Sequence, residues 1–262
     1  MKTLDFSGQV VVVTGGARGL GRVIAEEFMA AGADVVICGR HEPAADDLPR
    51  AVGPDGDEKV AVFVAADVRE ADQAKALIET TAARFGRVDV LVNNAGGSPA
   101  APSADVSPRF VTSIVSLNLL APFFCAQAAN AVMQGQPDGG SIVNIGSVSG
   151  ARPSPLTAAY GAAKAGLVNL TESLAVEWAP KVRVNYITAG LLDTGAGADH
   201  YGGPDGLARV AATIPIQRMG TPEDIAGACL YLASSLASFA TGGNLVIHGG
   251  GEWPGFLQAA RG

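Results

Sequence analysis

Charged and aromatic residues are scarce in this sequence, and its positive charges form no cluster. Charged residues make up 16% and aromatic residues 6% of the 262 residues, and the formal net charge is −7. No block of lysine or arginine is present, which argues against a nucleic-acid partner. We find no apolar run as long as a bilayer-spanning helix and expect no signal peptide at the N-terminus. We therefore expect no membrane partner and a cytoplasmic location.

Cysteine and histidine are also rare, which leaves few residues of the types that bind metal ions or form disulfides. The cysteines Cys38, Cys125 and Cys229 are dispersed through apolar stretches, and the three histidines are scattered. No spacing of metal ligands is present, so we predict no metal site and expect reduced, buried thiols. Hydrophobic residues make up 48% of the chain, which argues against disorder.

Short runs rich in β-branched residues alternate with helical stretches. The runs lie at 10–13, 34–38, 60–66, 88–92, 141–145, 182–187 and 244–248. Most lack polar alternation, as strands buried on both faces of a parallel sheet do. The predicted helices are 19–31, 70–85, 107–133, 157–178 and 222–233. This alternation predicts the α/β class: a single doubly wound Rossmann domain over 1–262, with a mostly parallel seven-stranded sheet.

Two segments interrupt the alternation. Residues 42–57 are polar and contain proline and glycine, which predicts a surface loop with about one helical turn. Residues 190–215 are rich in glycine and follow a predicted strand. A long insertion at the end of a strand is a candidate mobile lid, and an ordered surface loop is the alternative.

A glycine-rich sequence lies between the first predicted strand and the first predicted helix. It reads Thr14-Gly15-Gly16-Ala17-Arg18-Gly19-Leu20-Gly21. Glycines permit a tight turn and let the backbone approach a pyrophosphate, which binds at the helix N-terminus. This context predicts dinucleotide binding, with a purely structural turn as the alternative.

A tyrosine and a lysine lie four residues apart in a predicted helix, at Tyr160 and Lys164, and Ser147 ends a strand-like run upstream. Residues spaced by four lie on one face of a helix. An ammonium beside a phenol lowers the pKa of the phenol, which allows proton exchange with a substrate oxygen near neutral pH. By itself such a pair is more often an ordinary amphipathic helix face.

These motifs together resemble those of the short-chain dehydrogenases/reductases, from Gln9 to about Gly250. The Thr-Gly-x-x-x-Gly-x-Gly spacing at 14–21 is similar to the cofactor loop of that family, and residues 93–96, Asn-Asn-Ala-Gly, match its motif after the fourth strand. Asp67 matches its adenine-contacting aspartate. The catalytic tetrad of the family is matched in order and approximate spacing by Asn118, Ser147, Tyr160 and Lys164.

The resemblance implies roles for these residues. Tyr160 would give a proton in reduction and accept one in oxidation, and Lys164 would lower its pKa and hold the nicotinamide ribose. Ser147 would hydrogen-bond the carbonyl oxygen, and Asn118 would order a water molecule. The family has Pro-Gly where this chain has Ala189-Gly190, so we expect a looser turn near the nicotinamide. The matching cofactor-binding positions are Gly15, Ala17, Arg18, Gly19, Leu20, Gly21, Arg40, Asp67, Val68, Asn94, Ala95, Gly96, Tyr160, Lys164, Gly190, Leu192 and Thr194.

The end of the second predicted strand indicates which dinucleotide binds. An NAD enzyme needs an acidic side chain there for the ribose 2′-hydroxyl, but the sequence at 37–41 is Ile-Cys-Gly-Arg-His. Arg40, and Arg18 in the glycine loop, match positions that carry basic residues in NADP-preferring relatives. A guanidinium pairs well with a 2′-phosphate. We therefore predict NADP(H) in preference to NAD(H); the alternative for each arginine is a solvated surface side chain.

The resemblance predicts an oxidoreductase that transfers a hydride between NADP(H) and a carbonyl or secondary alcohol. The alternatives are an NAD-dependent alcohol dehydrogenase of this family and a non-catalytic NADP(H)-binding sensor. The chain resembles the reductases of 3-oxoacyl thioesters and equally the general alcohol dehydrogenases, so the small-molecule substrate stays open. Family relatives are commonly tetramers, and we expect a homotetramer. The predicted pocket residues are Gly97, Ser98, Ser149, Ser154, Leu191, Leu192 and Tyr201. Arg152 is the one cation that could meet an anionic substrate, and the favoured alternative for it is an ordinary surface arginine.

Overall fold

A parallel sheet of seven strands lies at the centre of the structure. The structure is a computed structural model, and it describes residues 4–195, 202–256 and 260. The strand order is β5-β2-β1-β6-β7-β8-β9, and each neighbouring pair is parallel. The strands are β1 (Val10–Thr14), β2 (Asp34–Gly39), β5 (Val62–Ala65), β6 (Val90–Asn93), β7 (Gly140–Ile145), β8 (Val182–Ala189) and β9 (Asn244–Ile247). The order reverses between β1 and β6, which opens a crevice at their carboxyl ends.

Helices cover both faces of this sheet. They are α1 (Gly19–Ala30), α2 (Ala71–Phe85), α3 (Pro108–Val115), α4 (Ala121–Met133), α5 (Ala158–Trp178), α6 (Gly203–Ala211) and α7 (Pro222–Ala233). Successive side chains of a strand point to opposite faces. Val11 and Val13 therefore pack in a core with α1 and α7, whereas Val12 packs in a second core with α2, α4 and α5. Both faces are buried, so the predicted doubly wound α/β fold is confirmed.

The helix ends follow local sequence signals. Thr221 and Asp224 form a capping box at the start of α7, with Pro222 at its first turn. The Ser107 hydroxyl accepts the Phe110 N–H at 3.2 Å at the start of α3. Gly86 ends α2 with a φ of 78°, a conformation that costs glycine little. These signals explain why most predicted helix bounds agree with the structure to within a residue or two.

The long helix predicted at 107–133 is interrupted by a π-helical turn, Ser116–Leu120, between α3 and α4. The Ala121 N–H reaches back to the Ser116 carbonyl, and Pro122 after it has no N–H to continue an α-helical pattern. The helical segment formed by residues 108–133 is long and apolar enough, by length and composition, to cross a membrane. In its most apolar stretch of 18 residues, 33% are buried. The expectation that no apolar run reaches that length was therefore wrong, although core helices of soluble proteins meet the same criterion.

Two other segments differ from the predictions. The loop predicted at 42–57 contains a 3-10 turn, Ala45–Asp47, as well as one strand of an antiparallel hairpin, β3 (Arg50–Val52) with β4 (Glu58–Val60). The run predicted as one strand at 60–66 is thus divided between β4 and β5. Within the predicted lid, 190–215, residues 203–211 form helix α6, while 196–201 lie outside the described residues.

Candidate active site

The ends of β1 and β6 are joined by side-chain hydrogen bonds across the crevice. The Thr14 hydroxyl accepts the N–H groups of Asn94 and Ala95, both at 3.0 Å. Asn94 Nδ2 donates to the Thr14 carbonyl at 2.9 Å. These bonds fix the glycine loop after β1 against the Asn-Asn-Ala-Gly segment after β6. The structure therefore brings together two motifs that lie 80 residues apart in the chain.

The first turn of α1 is suited to binding an anion. Gly15 and Gly19 have φ values of +66° and +53°, and a Cβ atom at Gly19 would meet nothing within 4 Å. A Cβ atom at Gly21 would instead overlap the Asn94 side chain and the Gly15 carbonyl. Arg18 at the N-cap position makes no side-chain capping bond, and the first turn has no acidic residue. Helix N-terminal amides left open in this way bind phosphate groups, so the loop fits the pyrophosphate of a dinucleotide.

The adenine end of the predicted cofactor site contains an ion pair that sequence reasoning missed. Arg69 Nε donates to Asp67 Oδ1 at 2.9 Å and Arg69 Nη2 to Asp67 Oδ2. These hydrogen bonds are the main reason why the pKa of Asp67 is lowered, and Arg40 adds to the effect. The Arg69 side chain also reaches the Ser113 hydroxyl, at 3.3 Å. In the sequence, the signal for this ion pair was the basic residue two positions after the aspartate.

Asn118 is held rigidly by main-chain groups. Its side chain is fully buried and lies in the π-helical turn. Oδ1 accepts the Gly97 N–H at 2.9 Å, while Nδ2 donates to the carbonyls of Gly97 and Ile114, each at 2.9 Å. The turn thereby joins the helix to the loop after β6.

Lys164 lies beside Tyr160 and close to Asn118. Lys164 is 3% exposed, and its Nζ donates to the Ile145 carbonyl at 2.7 Å. Burial lowers its pKa to about 8. Its Nζ is 5.7 Å from the centre of the Tyr160 ring. A Cβ atom at Gly96 would lie 2.8 Å from Asn118 Oδ1 and 3.4 Å from Lys164 Nζ, so both groups converge on Gly96.

Ser147 is connected to Lys164 through Tyr186, a residue that sequence reasoning did not single out. The Tyr186 hydroxyl accepts the Ser147 N–H at 3.2 Å and donates to the Lys164 carbonyl at 3.2 Å. Burial is the main cause that raises the pKa of Tyr186 to about 12. The Ser147 hydroxyl accepts the Ser149 N–H at 3.1 Å. The sequence signal was a tyrosine hydroxyl within a strand that is buried over most of its length.

The end of β8 carries the remaining predicted cofactor residues. Ala189 is 5% exposed and is paired with Ile247 of β9. The Gly190 N–H donates to the Ile247 carbonyl at 2.9 Å, so the segment that replaces the family's Pro-Gly is held by the sheet. Leu192 forms a bridge to Gly220.

A cavity of about 340 Å³, the β8–β9 cavity, opens beside this segment. It shares Leu191 and Leu192 with the predicted substrate pocket but is not lined by the tetrad. The predicted pocket residues Ser98 and Ser154 make local bonds, to the Pro99 carbonyl and the Thr157 hydroxyl. Tyr201 lies outside the described residues.

The described cysteines are free and buried, and no group of three or more His, Cys, Asp or Glu residues in the described ranges could hold a metal ion.

Comparisons with known proteins agree with this architecture. The model of the enoyl-(acyl carrier protein) reductase family matches residues 15–252. A 3beta-hydroxysteroid dehydrogenase of Eggerthella lenta is 38% identical over 96% of this chain and 97% of its own. A cis-4-hydroxycyclohexanecarboxylate dehydrogenase of Sinomonas cyclohexanicum is 39% identical, over 94% and 97%.

Solved structures show the same relationship. A short-chain type dehydrogenase/reductase from Mycobacterium marinum superposes with a TM-score of 0.85 at 33% identity, covering 96% of this chain and 98% of its own. The aldohexose dehydrogenase of Thermoplasma acidophilum gives 0.83 at 31% identity, with 94% of each chain covered. Because these matches extend over almost the whole chain, the chain belongs to the short-chain dehydrogenase/reductase family.

Proposed function

We propose that this protein is an NADP(H)-dependent oxidoreductase that interconverts a secondary alcohol and a ketone. The observation that carries the proposal is the convergence of Asn118 and Lys164 on Gly96, with Tyr160 beside the lysine. The family uses nicotinamide cofactors, and the bound nicotinamide would supply hydride transfer.

The tetrad residues would hold the substrate oxygen and move its proton. Tyr160 would give that proton in reduction and accept it in oxidation. Lys164 would provide a positive charge beside the phenol, and its Nζ would also hold the nicotinamide ribose. Ser147 would donate a hydrogen bond to the reacting oxygen and stabilise developing negative charge. Asn118 would hold a water molecule that links Lys164 to solvent.

The preference for NADP(H) rests on the side chains around the end of β2. Gly39 ends this strand without a carboxylate, and the exposed Arg40 follows it. Arg18 is exposed at the start of α1. A 2′-phosphate would find two guanidinium groups here. An NAD-dependent alcohol dehydrogenase is the second candidate; a higher kcat/KM with NADH than with NADPH would favour it.

We propose a hydroxyl group on a saturated ring as the reacting group of the substrate. Two relatives are named for such groups, a hydroxysteroid and a hydroxycyclohexanecarboxylate. Leu191 and Leu192 offer apolar surface for a ring near the end of β8.

We propose that the chain works as one domain within a cytoplasmic homotetramer. Large apolar side chains are exposed on α5 and near α7 and β9, including Val176 (82%) and Phe239 (103%). Self-association would cover such side chains. In the segment after β9, the Trp253 N–H donates to the Thr213 carbonyl at 3.3 Å, which favours docking of this segment on its own chain. Light scattering at micromolar concentration tests the assembly; a monomer would contradict it.

The decisive experiment compares the wild type with Tyr160→Phe. Ring alcohols and ketones are screened with NADP⁺ and NADPH, and cofactor binding is measured separately by titration. We expect Tyr160→Phe to lose turnover by a factor of at least about 10³ while NADPH binding changes little. Retained turnover would refute the role of Tyr160. Absence of turnover by the wild type across the panel would favour the non-catalytic NADP(H)-binding sensor.

A further inference from the structure

An ion pair connects two loops on either side of the end of β8. Arg152 lies in the loop between Ser147 and α5, and Glu252 lies in the segment after β9. Arg152 Nη2 donates to Glu252 Oε1 at 2.6 Å, although the residues are 100 positions apart. Because β8 lies between β7 and β9 in the sheet, the pair crosses the carboxyl end of β8, where the Gly190 segment begins.

Main-chain bonds hold the segments that carry the two partners. The Arg152 N–H donates to the Val148 carbonyl at 3.2 Å, within the turn that Ser147 starts. On the other side, the residue after Glu252 is fixed by the Trp253 N–H bond to Thr213. The side chains of the pair are 41% and 28% exposed, so both are partly shielded from water.

This arrangement bears on the charge that a substrate would meet near the end of β8. An unpaired Arg152 in the loop after Ser147 would attract a carboxylate, but the carboxylate of Glu252 already occupies the guanidinium and would repel a second anion. The guanidinium of Arg218, at the β8–β9 cavity, is likewise paired with Asp224. Lys164 is buried and bonded to a main-chain carbonyl. Within the described part of the chain, an anion that left water beside these three cations would lose hydration, and each of the three already has a partner.

We propose that the Arg152–Glu252 pair makes this enzyme select uncharged ring alcohols and ketones over ring substrates that carry a carboxylate. Glu252 is then a specificity-determining residue, because it cancels the charge of Arg152. This inference rests on the proposed function, since it names the substrate class of that site.

The test compares two matched substrates, a hydroxycyclohexanecarboxylate and the uncharged amide of the same acid. The wild type should have the higher kcat/KM with the amide. Glu252→Gln should raise kcat/KM for the carboxylate about fivefold, the size of one partly exposed charge interaction, and leave the amide within about twofold. The double variant with Arg152→Gln should lose this gain. Glu58→Gln, which breaks an exposed pair with Arg50 in the hairpin, is the control.

Two results would overturn the proposal: a wild-type preference for the carboxylate, or the same substrate ratio in Glu252→Gln as in the wild type. A binding measurement separates this question from catalysis. By calorimetry, cyclohexanecarboxylate should bind Glu252→Gln about fivefold more tightly than the wild type, and cyclohexanecarboxamide should bind both equally. If no variant oxidises either alcohol, the proposed function fails, and the calorimetry alone decides the charge selection. Equal binding of the carboxylate to the wild type and to Glu252→Gln would then refute the charge selection.

Discussion

Replacement of Tyr186 by phenylalanine removes a single oxygen atom between two tetrad residues. Tyr186 is 1% exposed, and its hydroxyl connects the Ser147 N–H to the Lys164 carbonyl. The ring fills the space beside Gly146, where a Cβ atom would overlap it. Phenylalanine keeps that ring, so the variant creates almost no cavity. Any change it causes must therefore come from the two lost hydrogen bonds.

The size of the effect follows from these bonds. The Ser147 N–H would lose its acceptor in a partly buried position, which costs about 1–2 kcal/mol. The free energy of unfolding should fall by that amount. If the same energy holds Ser147 in its catalytic position, kcat should fall about tenfold, since about 1.4 kcal/mol corresponds to a factor of ten. The KM for NADPH should change little, because the glycine loop follows another strand. Burial raises the pKa of Tyr186 to about 12, so the kcat ratio should be constant through neutral pH.

Urea denaturation and steady-state kinetics on the same preparations test this prediction. Tyr231→Phe removes a phenol hydroxyl from a residue that is 41% exposed, and it should alter stability by less than about 0.5 kcal/mol. Equal kcat and equal stability in Tyr186→Phe and the wild type would refute the reasoning. A loss of stability with unchanged kcat would restrict Tyr186 to a structural role.

Three further substitutions test the packing beside Tyr186, the hydrogen bonds from Arg183 to main-chain carbonyls, and the Arg218–Asp224 ion pair. Gly146→Ala should lower the free energy of unfolding by about 3 kcal/mol or more, because its methyl group overlaps the Tyr186 ring; Tyr186→Ala in the same chain should recover part of this loss. Arg183→Met should cost about 3 kcal/mol in urea denaturation, since the guanidinium donates to five main-chain carbonyls. The hydrogen bond from Arg218 is the largest cause that lowers the pKa of Asp224 from 3.8 to about 2. The folded-state pKa is the lower one, so this stabilisation is complete above about pH 4 and is lost as the pH falls toward 2. Asp224→Asn should lack that part of the acid transition, measured by urea denaturation across pH.

Controls for these variants come from the same chain. A Cβ atom at Gly227, within α7, would meet nothing within 4 Å, so Gly227→Ala should stabilise the helix by about 0.5–1 kcal/mol. The Arg50 side chain is 39% exposed in a surface ion pair, and Arg50→Met should change stability by less than about 0.5 kcal/mol. Equal losses in Arg50→Met and Arg183→Met would contradict the capping argument. An acid transition of the same shape in Asp224→Asn would contradict the ion-pair argument.

The elements that the sequence predicted correctly are those whose burial leaves a regular pattern. The central strands are buried on both faces, which requires continuous apolar runs. The hairpin of β3 and β4 was missed because each strand has only three residues, and its outer positions are exposed. The π-helical turn was missed because the side-chain bonds made there join Asn118 to Gly97, 21 positions away, a pairing that the sequence does not show.

The site shows the same limit. The tetrad is predicted by resemblance to the family. A sequence motif can show such a set of residues because the chemistry fixes their side-chain types and their spacing. Tyr186 lies in a strand where each side chain points to one face or the other, and the sequence does not show what its hydroxyl reaches. Arg69 lies only two positions after Asp67. Until the conformation of the turn is known, the sequence does not show whether their side chains form an ion pair or lie separately in a solvated loop.

Three residues of the predicted tetrad make hydrogen bonds that involve main-chain groups, and this has a consequence for specificity. Asn118 bonds to the main chain of Gly97, Lys164 to the Ile145 carbonyl, and Ser147 through its own N–H to Tyr186. Main-chain groups persist when surface side chains change. The loop of Arg152 and the segment after β9 contribute none of these bonds, so under the proposed charge selection substitutions there would alter the charge that a substrate meets while the predicted proton-transfer groups keep their positions. Substrate class and catalytic geometry are therefore separable in this fold, as a fivefold change in carboxylate selectivity without loss of amide turnover in Glu252→Gln would demonstrate.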